Sequence, residues 1–211
     1  MPDTHASVPH PADLADLLSP DLREAAERLF LNARTPQSWS DRPVPVETLH
    51  RLYDLVRLGP TAFNGAPARF VFLTTPEAKQ RLAPALSRGN QSKLTAGAIA
   101  VVAYDRVFFE HLPTLSPRYD PSALFVDAPE LAETTAFRNG SLQAGYLILA
   151  ARLLGLDAGP MSGFDADAVD REFFADGRLR TNLLVALGHA DGPSAHPRAP
   201  RLDAAKAVVI L

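Results

Sequence analysis

Residues 98–104 read AIAVVAY, an unbroken apolar run of strand length. A strand with no polar side is buried on both faces, so its sheet needs helices packed above and below it. Residues 182–187 (NLLVAL) read as a second buried strand, and residues 69–74 (RFVFLT) are β-rich.

The helices lie between and around these strands. Ser19-Pro20 supplies an N-cap and a first helical position, opening a helix to Asn32 with Leu22, Ala25, Ala26, Leu29 and Phe30 on one face. Pro45 starts a second, whose stripe is Val46, Leu49, Leu52, Tyr53 and Val56, and Gly59-Pro60 stops it. Pro76 begins a third, to about Leu86, and Asp165 caps a short one over residues 166–174. The longest helical pattern runs from Pro129 to Leu154. Its second half, LQAGYLILAARLLG, is apolar nearly all round, so it is buried inside the domain or at a subunit interface. Residues 106–128 hold four aromatics and three prolines with little periodicity, a loop with more aromatic surface than an idle loop carries. Strands separated by helices make a sandwich with helices on both faces of a sheet. Residues 1–12 are too rich in proline and too poor in apolar groups to order. The expected organisation is therefore a flexible tail, residues 1–18, and one folded domain, residues 19–211.

Composition narrows the function classes. At 211 residues, 46% apolar and 21% charged, the chain is globular, not disordered, collagen-like or a coiled coil. Lys+Arg number 21 against 24 Asp+Glu, so no basic excess directs it to nucleic acid or a membrane surface. With no cysteine it has no disulfide, thiolate metal site or cysteine nucleophile. The six histidines show neither the i,i+4 pairing nor the acidic neighbours of a metal site. No apolar stretch approaches the ~20 residues of a membrane span, and no signal-peptide pattern opens the chain. The expected setting is cytoplasmic, without metal. G-x-G-x-x-G and P-loop patterns are absent, and Met161-Ser162-Gly163 is not a hydrolase elbow.

Candidate binding groups are distributed along the chain. Arg34-Thr35 follows a helix and enters a proline-containing loop, and residues 61–67 (TAFNGAP) run straight into a strand. Asn90 and Lys93 stand one helical turn apart, so an amide and an ammonium can face one ligand. Gly159-Pro160-Met161-Ser162-Gly163 reads as a loop with a permissive backbone, whose N–H groups can approach a flat ligand closely. Arg198 and Arg201 form a pair suited to a phosphate. Taken singly, a Gly-Pro turn is a turn and a terminal arginine pair is solvated surface.

In this order the motifs R-T, G-P-T-x-x-N-x-x-P-x-R-F, N-x-x-K, R-N-G-S-L-Q-A-x-Y-L-I-L-A-A-R-x-L-G-L, G-P-M-S-G-F-D and P-R-x-P-R resemble the FMN-dependent nitroreductase family. More narrowly they resemble its malonic semialdehyde reductase branch, and the match covers about residues 20–211. The resemblance implies an α+β fold, a three-layer α/β/α sandwich, and an obligate homodimer with FMN held non-covalently at the subunit interface. It places Arg34, Thr35, Arg198 and Arg201 at the phosphate, and Thr61, Ala62, Asn64 and Gly65 near the flavin. Asn90 and Lys93 fall beside the ribityl and pyrimidine side, with Lys93 as electrostatic support for the reduced ring. Pro160, Met161, Ser162 and Gly163 fall at flavin N5. Ala66 and Ala68 stand where the family usually has Gln and Trp, and Ser162 where many members have Glu.

No side-chain catalytic base is implied, because hydride passes from NADH or NADPH to flavin N5 and on to a small-molecule acceptor in two half-reactions, a ping-pong scheme. A small 3-oxo acid semialdehyde is the first acceptor implied. The alternatives are a broad nitroaromatic or quinone reductase, and a non-catalytic FMN-binding or storage protein. Phe108, Phe109, Tyr119 and Phe125 are expected as a lid over the substrate, or else as a packed excursion or a dimer contact.

Overall fold

Four strands make one sheet: β1 (Ala68–Leu73), β2 (Ala98–Asp105), β3 (Asp157–Met161) and β4 (Leu179–Gly188), in the order β1-β2-β4-β3. Every neighbouring pair is antiparallel. The computed structural model describes residues 18–194 and 197–211. Of the flexible tail expected over residues 1–18, residues 1–17 lie outside the described residues, as do His5, His10 and His196. The chain forms two compact units: a sheet unit, residues 35–193, and an arm unit made of the residues up to 34 and those from 194 onward.

The arm unit holds α1 (Pro20–Ala26), which widens into a π-helical turn over Glu27–Leu31 where Asn32 N–H reaches back to the Glu27 carbonyl. The expected helix to Asn32 is therefore present, and two residues of its apolar stripe stay exposed among the described residues, Leu22 at 59% and Phe30 at 58%. In the sheet unit, α2 (Val46–Val56) follows Pro45 as expected, and α3 (Pro76–Leu82) gives way to a 3-10 turn (Ala83–Ala85) at Pro84, which has no N–H to continue the ladder. Two short helices, α4 (Leu112–Leu115) and α5 (Ala123–Val126), interrupt the aromatic segment. The long α6 (Pro129–Leu153) and α7 (Ala166–Phe173) complete this unit, with the Asp165 side chain accepting from Ala168 N–H as the cap of α7. The C-terminal α8 (Ala204–Ala207) belongs to the arm unit.

All eight residues of β2 are buried, and its period of two sorts them between two cores. Ala98, Ala100 and Val102 join Val185 and Leu187 against Leu49, Leu52 and Val56 of α2 and Ala144, Leu147 and Ala151 of α6. Ile99, Val101 and Ala103 join Leu184 and Ala186 against Leu82 of α3, Val169 of α7 and Trp39. These are the three layers expected, in the antiparallel form that makes the fold α+β.

One expectation is corrected. Residues 159–163 are not wholly loop: Gly159, Pro160 and Met161 are the second half of β3, with Pro160 opposite Val185. Glycine and proline mask a strand in the sequence, and an edge position tolerates Pro160 because its missing N–H would have faced outward.

The end of β2 is a charged junction. Asp105 is buried, accepts from Arg69 at 2.8 Å and Arg178 at 3.0 Å, and caps Val107 N–H at 3.1 Å. Beside it Glu133 of α6 accepts from the Tyr104 hydroxyl at 2.6 Å and from Arg106 Nε at 2.8 Å. Burial and the bonded Glu133 carboxylate push the Tyr104 phenol far above its ordinary value. At Glu133 burial acts upward, but the two hydrogen bonds and the charges of Arg106 and Arg180 outweigh it, and the carboxyl sits below its ordinary value. A carboxyl lowered by folding stabilises the folded chain above its unfolded pKa, about 4.3. That stabilisation is lost as pH falls through the lowered value. Tyr104→Phe removes one of the two donors and is expected to move the acid-unfolding midpoint to higher pH, read by circular dichroism; an unmoved midpoint would show the bond to be idle.

Candidate functional site

In the arm unit the π turn presents carbonyls at its C-terminal end, and two of the expected phosphate residues gather there. Arg34 Nη1 donates to the carbonyls of Leu31 at 3.2 Å and Ala33 at 2.9 Å. Arg198 Nη2 donates to the same two at 2.7 and 3.1 Å and to Phe30 O at 2.7 Å. Two guanidinium groups sharing carbonyl acceptors form a concentrated positive site, and the Nε and Nη2 donors of Arg34 are not engaged among the described residues. Among the described residues Arg201 bonds only the carbonyls of its own turn, Ala199 and Pro200. The next residue along, Thr35, is exposed and opens the sheet unit.

In the sheet unit α6 organises the loop before β1. Asn139, Gln143 and Tyr146 stand at i, i+4 and i+7, so all three lie on one side of the helix. Asn139 Oδ1 accepts from Ala62 N–H at 2.8 Å while its amide donates to Thr135 O. Gln143 Oε1 accepts from Ala68 N–H at 2.8 Å, and the Tyr146 hydroxyl donates to Pro60 O at 2.9 Å. Between these anchors Thr61 Oγ1 accepts from Ala66 N–H and the Asn64 amide donates to Leu115 O. The loop so held contains Phe63 at φ 55°, Asn64 at φ 57° and Ala66 at φ 37°. Left-handed backbone costs a non-glycine residue about 1–2 kcal/mol. Gly65 is required by crowding: a Cβ there would lie 2.9 Å from the Phe108 ring.

The structure brings two more predicted segments together. Asn90, on the 3-10 segment Arg88–Thr95, donates through Nδ2 to Gly163 O at 2.9 Å, and Ser87 N–H donates to the same carbonyl at 3.0 Å. Lys93, one turn along, is half-buried, and its ammonium makes no hydrogen bond or ion pair among the described residues. Pro160 and Ser162 are exposed, and Met161 is buried. Gly159 packs so closely that a Cβ there would lie 3.1 Å from Thr35 Cγ2 and 3.3 Å from the Trp39 ring.

The aromatic segment is packed. Phe108 and Phe125 are buried with Tyr104, Leu112, Ala132 and Ala136, and Phe109 stacks on Phe125. Tyr119 is at the surface, 62% exposed.

Sequence reasoning missed three things here. Asn139, Gln143 and Tyr146 as loop anchors were detectable as polar groups recurring at helical spacing in an apolar helix. Trp39, not singled out from the sequence, is buried, and its Nε1 has no partner among the described residues. The left-handed conformation of Phe63 has no signal in the sequence.

The model of the nitroreductase family matches residues 31–189. The chain belongs to this family. A Burkholderia lata protein provisionally named an NADH dehydrogenase/NAD(P)H nitroreductase is 56% identical over 180 residues, 85% of this chain and 92% of that one. Solved structures share the fold at lower identity. A provisionally assigned nitroreductase of Exiguobacterium sibiricum, solved in complex with FMN, superposes at TM-score 0.79 with 19% identity, covering 87% of this chain and 96% of that one. A Staphylococcus epidermidis protein provisionally assigned as an NAD(P)H:FMN oxidoreductase gives 0.76 at 18% identity, covering 88% and 95%.

Gln143→Leu in this nitroreductase-family chain leaves the buried Ala68 N–H without an acceptor and is expected to cost about 1–3 kcal/mol. Thermal unfolding reads this as a lowered Tm, and hydrogen exchange as lost protection at Ala68; a variant as stable as the parent would remove the anchor from the account.

Proposed function

We propose that the chain is an FMN-dependent NAD(P)H oxidoreductase. The observation that carries the reading is the family match over residues 31–189, together with the 56% identity to a relative whose name includes NAD(P)H nitroreductase. The residues fit the cofactor. Arg34 and Arg198 concentrate positive charge on shared carbonyls, as a phosphate requires, and Lys93 keeps a half-buried ammonium with no counter-charge among the described residues.

When bound, FMN supplies a ring that takes a hydride from NADH or NADPH and passes it to an acceptor. In this reading Arg34, Thr35, Arg198 and Arg201 hold the phosphate, and Lys93 stabilises the negative charge that a reduced ring carries. Asn90, by bonding Gly163 O, fixes the segment 160–163 that in this reading would face the ring. Thr61, Ala62, Asn64 and Gly65 form a loop already rigid before any ligand arrives, so little ordering is left to oppose binding. A homodimer is supported by apolar side chains left about half or more exposed among the described residues: Phe137, Leu142 and Leu153 on α6, and Val208 to Leu211 at the C-terminus.

On the acceptor side two readings stand. The resemblance of its motifs to the semialdehyde reductase branch favours a small 3-oxo acid semialdehyde, whereas the exposed Phe63 and Tyr119 favour a flat nitroaromatic or quinone. A non-catalytic FMN carrier would bind flavin without oxidising NADH or NADPH in the presence of any acceptor.

The purified protein is expected to be yellow and to bleach when NADH or NADPH is added anaerobically; a colourless protein that takes up no added FMN would sink the reading. Arg201→Ala is expected to weaken FMN binding by about 1.5–3 kcal/mol, the scale of a charge-assisted hydrogen bond, measured by flavin fluorescence titration of the apoprotein. The apoprotein's Tm should stay in place, because among the described residues Arg201 bonds only its own turn.

A further inference from the structure

Among the described residues, every non-glycine residue with positive φ falls in one loop: Phe63, Asn64 and Ala66. Asparagine enters this region readily, but a phenylalanine does so only where its surroundings over-determine it. Here they do. Ala62 N–H is tied to Asn139, Ala66 N–H to Thr61 and the Asn64 amide to Leu115 O, while Gly65 is pressed against the Phe108 ring.

This strain yields the position of one side chain. The Phe63 ring meets Phe125 edge-on, with centroids 6.1 Å apart, and is otherwise 42% exposed. A packing role would bury that ring, and a turn role would be filled more cheaply by glycine.

We infer that Phe63 is a specificity-determining residue, an aromatic wall against which the electron acceptor packs. It favours flat, conjugated acceptors such as quinones and nitroaromatics over small aliphatic 3-oxo acids. The inference rests on the oxidoreductase reading and on the placing of residues 61–65 at the reaction site. For a quinone the balance is NAD(P)H + H⁺ + quinone → NAD(P)⁺ + hydroquinone. Two electrons and one proton leave the nicotinamide as hydride, the second proton comes from solvent, and Phe63 itself forms no bond.

The test uses the holoenzyme and Phe63→Gly. Glycine adopts φ 55° freely, so the variant is expected to keep its FMN content and a Tm equal to or above that of the parent. Its kcat/KM for benzoquinone, relative to that for a small aliphatic 3-oxo acid, should fall about five- to tenfold, the scale of one lost aromatic contact. Calorimetric binding of benzoate, a flat aromatic that cannot be reduced, to the oxidised holoenzyme should weaken by a similar factor, and Phe63→Tyr should preserve both. An unchanged quinone-to-aldehyde ratio in Phe63→Gly overturns the inference, and a lowered Tm with that ratio unchanged would show that the ring merely packs. A parent protein without flavin, or with flavin that neither NADH nor NADPH reduces, overturns the oxidoreductase reading itself and the role of Phe63 with it.

Discussion

The two-sided burial of β2 governs the sheet unit. Every residue of that strand is buried, so each face has to be closed by helices that arrive from different parts of the chain. One face takes α2 and α6, and the other takes α3, α7 and Trp39. The buried carboxylate of Asp105 closes the end of the strand, where apolar packing stops, and two arginines meet it there. Since α6 is committed to the first core by Ala144, Leu147 and Ala151, the orientation of its polar residues is fixed as well. That is what turns Asn139, Gln143 and Tyr146 toward the loop before β1.

That loop differs from its surroundings in kind. Among the described residues the four strands and the α-helices hold no non-glycine residue with positive φ, whereas the loop holds three and is fixed by polar bonds from α6, from the α4 end and from within itself. Rigid scaffolds carrying a strained, over-determined segment are a recurring arrangement at functional sites. The candidate cofactor residues show the same economy: Asn90 is fixed by a carbonyl of the segment it faces, while Lys93 beside it has no partner among the described residues.

Much of this was legible in the sequence, for stated reasons. The apolar run 98–104, the stripe of α2, Pro129 at the start of α6 and Asp165 as a cap are local signals, and each element formed where its signal lies. The motif order identified the family. What escaped depends on distant partners. The strand β3 is recognisable only through β4 beside it, because Gly159 and Pro160 carry no strand preference of their own. The π turn after α1 has no signature in residues 27–31, which read as ordinary helix. Phe63 is left-handed because Asn139, Leu115 and Phe108 make it so, and none of them is a sequence neighbour. The aromatic segment 106–128 reads from sequence as a lid, a packed excursion or a dimer contact, and its packing against Ala132 and Ala136 of α6 appears only in three dimensions.

The single tryptophan offers an optical consequence. Trp39 is buried against Gly159 and Gly188, inside the sheet unit and away from water. Its emission is therefore blue-shifted in the native chain and moves to longer wavelength when this unit opens. Because no second indole contributes, intrinsic fluorescence follows the melting of the sheet unit, while loosening of the arm unit has to be watched by another signal.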